Sequence, residues 1–154
     1  MNIEKYWDNY NSDDSLTLLE YLSNKKKKEI SLNEIISETG LDKLNSYRNT
    51  DSPLSVTIEG IEAEIHYAIS LLTDIACLLL ECKINGNANI GKLLFCNEQK
   101  INITATEEEH KLINESLKDF VKEPLSYDLC EMVPEEEMLE MASVCESIRK
   151  ELYE

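Results

Sequence analysis

Few residues in this chain can make a sharp turn. Its 154 residues include only four glycines and three prolines. Long loops and hinged linkers are therefore scarce, and the length suits one sizeable core. The longest unbroken apolar run, Ile75 to Leu80, is far shorter than the roughly 18 residues of a membrane helix. The N-terminal MNIEKYWDNY has no basic segment followed by an apolar one, so no secretory signal is read there and a cytoplasmic chain is expected. Cys77, Cys82, Cys96, Cys130 and Cys145 are odd in number and include no Cys-x-x-Cys, so they read as free thiols rather than a zinc site or a disulfide frame. Positive charge is also scarce: 15 basic against 31 acidic residues give a net charge of −16. Duplex binding draws its affinity from lysine and arginine, so a nucleic-acid partner is disfavoured.

Catalytic signatures are missing as well. There is no Gly-x-Ser-x-Gly, no phosphate-binding Gly-x-x-x-x-Gly-Lys-Ser/Thr and no Gly-x-Gly-x-x-Gly. His66 lies four residues after Glu62, a spacing that would share a helix face. His110 follows Glu107 in a single Glu-x-x-His, whereas di-iron carboxylate bundles use two copies. No enzyme, metal or cofactor is expected.

What is present is mostly helical pattern. Asp13 and Asp14 precede an apolar stretch at 15–23, and Lys25 to Lys28 suit its C-terminal end. Ser31 and Glu34 read as a capping box for a helix ending at Gly40, with another helical turn over 41–47. Ile58, Ile61, Ile65, Ala68, Leu72, Ile75 and Leu79 recur three or four apart, predicting a central buried helix near 60–83. Ile90 to Cys96 and Lys100 to Thr104 read as a β-hairpin that must pack on helices or gain a third strand, for which Val56-Thr57-Ile58 is one candidate. Thr106 and Glu109 form a second capping box. Pro134 opens the last helix, whose inward stripe runs Met138, Met141, Ala142, Cys145, Ile148, Leu152. The expected fold is mainly α (α+β): one domain over 1–154, a helical bundle around the 60–83 helix with a small hairpin near 90–104.

The charge is unevenly spread. Residues 1–53 and 54–102 each carry a net −3, and residues 103–154 a net −10. Glu107, Glu108 and Glu109 form one run and Glu135, Glu136 and Glu137 another, with Asp119, Glu123, Asp128 and Glu131 between them. Acids in a first helical turn complement the dipole, and a field of this sign also steers a basic partner. Met132, Met138 and Met141 lie beside these acids, as core filler or as an adaptable apolar contact.

Two resemblances follow. Leu16 to Leu22, a short polar gap, and Ile30 to Leu41 resemble the winged helix-turn-helix of bacterial transcription regulators, which would make Gly40 the turn and Leu41 to Arg48 the recognition helix. That helix would offer Lys43, Asn45, Ser46, Tyr47 and Arg48 to DNA, with Asp42 opposing phosphate. The whole chain is similar, in size, acidity and lack of a catalytic motif, to the immunity proteins that accompany bacterial polymorphic or contact-dependent toxins. That resemblance implies an inhibitor that covers a basic toxin domain, often a nuclease, with carboxylates standing in for phosphates. The acidic residues just named would be its contacts. A regulator built on residues 16–48 and a scaffold subunit are the alternatives.

Overall fold

Ser12 starts the first long helix, its Oγ accepting the Ser15 amide at 3.2 Å. The computed structural model describes residues 6–8 and 12–154, so part of the N-terminal segment read above for a signal lies outside the described residues. Helix α1 (Asp13–Lys25) ends at Lys26, which takes the left-handed conformation usually left to glycine. Strand β1 (Glu29–Ser31) leads into α2 (Leu32–Thr39), capped by Ser31 and closed by Gly40 at φ +85°. The expected capping box is only half made. Glu34 does not reach back, because Lys25 and Lys27 hold its carboxylate, each at 3.1 Å.

The helix expected over 41–47 reduces to one 3-10 turn, Leu41–Lys43, after which Leu44 is extended. Ser46 Oγ accepts the Arg48 amide at 3.1 Å, a local bond that competes with helix formation.

The central helix also begins later than the stripe predicts. Strands β2 (Leu54–Ile58) and β3 (Ile61–Ile65) form an antiparallel hairpin, with Ile58 opposite Ile61. Its two turn residues, Glu59 and Gly60, both have positive φ, the geometry that matches strand twist. The spacing of Ile58, Ile61 and Ile65 therefore straddles a turn, and Gly60 is its signal in the sequence.

Helix α3 (Ala68–Asn85) is the true centre, with every residue from Ala68 to Leu80 buried. Tyr67 has no side-chain acceptor for this helix start. Asp14 of α1 supplies one, accepting the His66 amide at 2.8 Å and the Tyr67 amide at 3.0 Å, while Thr50 accepts from Ala68 at 2.9 Å.

The predicted hairpin is also redrawn. Its first strand is only β4 (Ala88–Asn89), followed by the helical turn α4 (Ile90–Leu93), because Asn89 caps Lys92 rather than extending the strand. β4 pairs antiparallel with β5 (Lys100–Thr104), and the third strand is β1, parallel to β5 with Ile30 opposite Ile103. Val56 to Ile58 pair elsewhere, with β3.

Helices α5 (Glu107–Lys122) and α6 (Glu135–Tyr153) complete the mainly α architecture. They run antiparallel, fixed by His110 against Tyr153 at 2.9 Å and Arg149 donating to Asn114 at 3.2 Å. Met138, Met141, Ala142, Cys145 and Ile148 face one continuous core as predicted, and Leu152 packs at its margin.

Candidate functional site

Eight acidic residues and no lysine, arginine or histidine occupy the segment between Lys122 and Arg149. Pro134 opens α6 and makes no side-chain cap bond, while Glu135, Glu136 and Glu137 occupy the first turn, where carboxylates complement the positive end of the dipole. Glu131, Glu135, Glu136, Glu137 and Glu140 are all exposed. Among the described residues, no cation pairs with any of these five. Met132 and Leu139, at 72% and 50% exposure, put apolar surface among them, while Met138 and Met141 are core.

This acidic end borders a cleft of about 400 Å³. Its walls come from the start of α1 (Ser15), the first turns of α3 (Ser70, Thr73, Asp74) and α6 (Glu137, Glu140, Met141). Asp74 is buried there. Its two oxygens accept from Tyr6 Oη and Ser15 Oγ, each at 2.6 Å. Burial pushes the Asp74 carboxyl up to about 7, against the two hydroxyls that favour its charged form, and the nearby Asp14 adds to the rise.

Three other predicted contacts serve the fold. Arg48 grips Asp119 with two bonds, at 2.9 and 2.6 Å, and reaches Glu123 at 3.2 Å. Tyr127 Oη also donates to Asp119, and together with Arg48 it holds that carboxyl below the usual range. Asp128 accepts the Thr50 amide at 2.9 Å and donates its own amide to the Arg48 carbonyl at 2.8 Å. These three acids fasten the 45–53 loop to the connection between α5 and α6. No spacing in the sequence pairs Arg48 with acids some 70 residues away.

Glu107, Glu108 and Glu109 lie at the far end. The antiparallel packing of α5 on α6 puts the two helix starts at opposite ends, and the 16 residues of α5 rise about 24 Å. Glu109 completes its capping box by accepting the Thr106 amide at 2.9 Å. The ten predicted residues thus form one free cluster at the start of α6, one clamp and one remote run, not a single patch.

Several features that resembled a DNA reader are engaged within the fold. No helix spans 41–48, and Arg48 is engaged by carboxylates. Lys25 pairs with Glu34 and Glu38, and Lys27 with Glu34. Glu62 lies on β3, so it shares no helix face with His66, which bonds Asp14 at 3.0 Å. Burial pushes the thiols of Cys77 and Cys145 well above their usual range, which disfavours the thiolate form. Among the described residues, no three histidines, cysteines or acids gather where they would hold a metal ion, and no helix is long and apolar enough to cross a membrane.

A family model described as Immunity protein 68 matches residues 2–152. The chain belongs to the Immunity protein 68 family. That membership agrees with the likeness in size, acidity and missing motifs, and it assigns an immunity role carried out by binding a cognate toxin. Searches of curated proteins and of solved structures return no match. In this Immunity protein 68 chain the carboxylates at the start of α6 are exposed and, among the described residues, have no cation partner.

Proposed function

We propose that this chain neutralises a basic toxin domain, a nuclease by charge logic, by binding it directly in the cytoplasm of the bacterium that makes both. Glu131, Glu135, Glu136, Glu137 and Glu140 form the electrostatic contact, with Met132 and Leu139 as apolar surface within it. The supporting observation is that these five acids are exposed and have no internal cation among the described residues, whereas Asp119 and Glu123 do. Carboxylates spaced along a helix start imitate the anionic track that a nucleic-acid enzyme follows, and an opposite field accelerates encounter.

The test is the association rate with the toxin domain encoded beside this chain, measured by stopped flow across salt concentrations. The rate should fall by about tenfold or more between low and high salt, since such charges lie within screening reach of water. A rate and affinity indifferent to salt would remove the acidic contact from the interface.

A further inference from the structure

Phe95 has the most exposed large apolar side chain described, at 93%. Its backbone is left-handed, at φ +57°, a conformation in which bulky L residues are outliers. The loop that holds it is nevertheless tightly built. Asn89 Oδ1 accepts both the Lys92 and Gln99 amides, at 3.2 and 3.1 Å. The Gln99 side chain exchanges two bonds with Ser23 of α1, at 2.7 and 3.0 Å. Phe95 itself donates to the Lys92 carbonyl, and Cys96 to that of Gly91. Gly91 is where the loop folds back: a Cβ there would stand 1.9 Å from the Asn97 carbonyl oxygen and 2.7 Å from the Gln99 nitrogen. The backbone can close only over a glycine.

The chain thus fixes a strained backbone in order to hold an aromatic ring in water, where the ring stabilises nothing in its own fold. Strain kept by an over-determined loop is a mark of function, and a preformed aromatic is what an interface uses as an anchor. We infer that Phe95 is a second contact of the immunity complex, inserting into an apolar socket on the toxin domain. This inference rests on the proposed function. A second copy of the chain is the poorer occupant, because it brings another −16 of like charge. The loop extends from the C-terminal end of α3, whereas the cleft lies at its N-terminal end, so the toxin would be held at both ends of the central helix.

The experiment measures affinity and melting of Phe95→Asn and Phe95→Gly with a catalytically silenced toxin domain encoded beside this chain. Both residues accept the left-handed backbone, so the loop stays closed. Affinity should drop about tenfold or more, through faster dissociation, with Tm unchanged or raised. Parent-like affinity overturns the inference and leaves the acidic contact standing. A lowered Tm overturns it too, since the ring would then serve the fold. So does a parent chain that sediments as a dimer and a Phe95→Asn chain that sediments as a monomer. Failure of the parent chain to bind the toxin domain at all would instead sink the proposed function, and this inference with it.

Discussion

Helices α5 and α6 both start with three glutamates, yet the two triplets do different work. Before Glu107 stands Thr106, whose hydroxyl takes the Glu109 amide while Glu109 returns a carboxylate to Thr106. Before Glu135 stands Pro134, which has nothing to exchange. The first run is partly consumed in capping the start of its helix, and lysines at 111 and 118 follow on the same helix. The second meets no basic residue until Arg149, which bonds Glu146 and Glu154 instead. A run of like charge therefore takes its role from the residue before it and the cations after it. The composition of the run does not decide.

The largest expected difference between the two ends is in binding. Glu135→Lys, Glu136→Lys and Glu137→Lys combined should weaken toxin affinity about a hundredfold, mainly through the on-rate, because repulsion replaces steering. Glu107→Lys with Glu108→Lys should change it less than about threefold, and this pair leaves the capping residue Glu109 in place. Stopped-flow association at fixed ionic strength decides. Equal losses from both would mean that the partner senses the net −16 and not the start of α6.

A second contrast lies beneath the runs. The α6 end alone sits over a buried acid, Asp74. Its folded-state pKa of about 7 lies above the ordinary 3.8, so the folded chain takes up this proton before the unfolded one does. The stability it contributes is complete below about pH 4 and is lost as pH rises towards 7, by an amount on the order of 2–4 kcal/mol. Tyr6 and Ser15 donate to the carboxylate, Asp14 lies near it, and Glu137 and Glu140 face the same cleft. Asp74→Asn still accepts hydrogen bonds and carries no proton to titrate. Urea titrations of both proteins between pH 4 and 8 should show the variant gaining on the parent as pH rises. A constant difference would mean that Asp74 keeps an ordinary pKa.

Much of this was legible in the sequence. Gly40, Thr106 with Glu109, and the stripe from Met138 to Ile148 each carry a local signal with one physical meaning, and the structure uses each as read. The misreadings came where one local pattern fits two structures. Isoleucines three and four apart suit a helix, but Glu59-Gly60 turns the chain between them. Ser46 falls within the predicted 41–47 helical turn, but its hydroxyl accepts the Arg48 amide instead. At the site, the acids were visible and their partners were not. Arg48 binds Asp119 from 71 residues away, and no periodicity encodes such a distance. Phe95 gave no signal either, because strain belongs to the closed loop and not to the residue type.

The smallest expected effect isolates the two helix starts themselves. Thr106→Ala removes the acceptor for the Glu109 amide and keeps the backbone amide that Glu109 accepts, so it should cost about 1 kcal/mol. For a chain of this size that is a fall in Tm of roughly 2–4 °C. Pro134→Ala removes no cap bond, because Pro134 makes none with its side chain, and it should stay within about 0.5 kcal/mol. Neither change should alter toxin affinity, since neither removes a charge. Thermal melts of the two variants side by side are sufficient. If Pro134→Ala costs as much as Thr106→Ala, the start of α6 is held by its own sequence as firmly as α5. The carboxylates there would then have to be regarded as part of that hold, and not as charge left free for a partner.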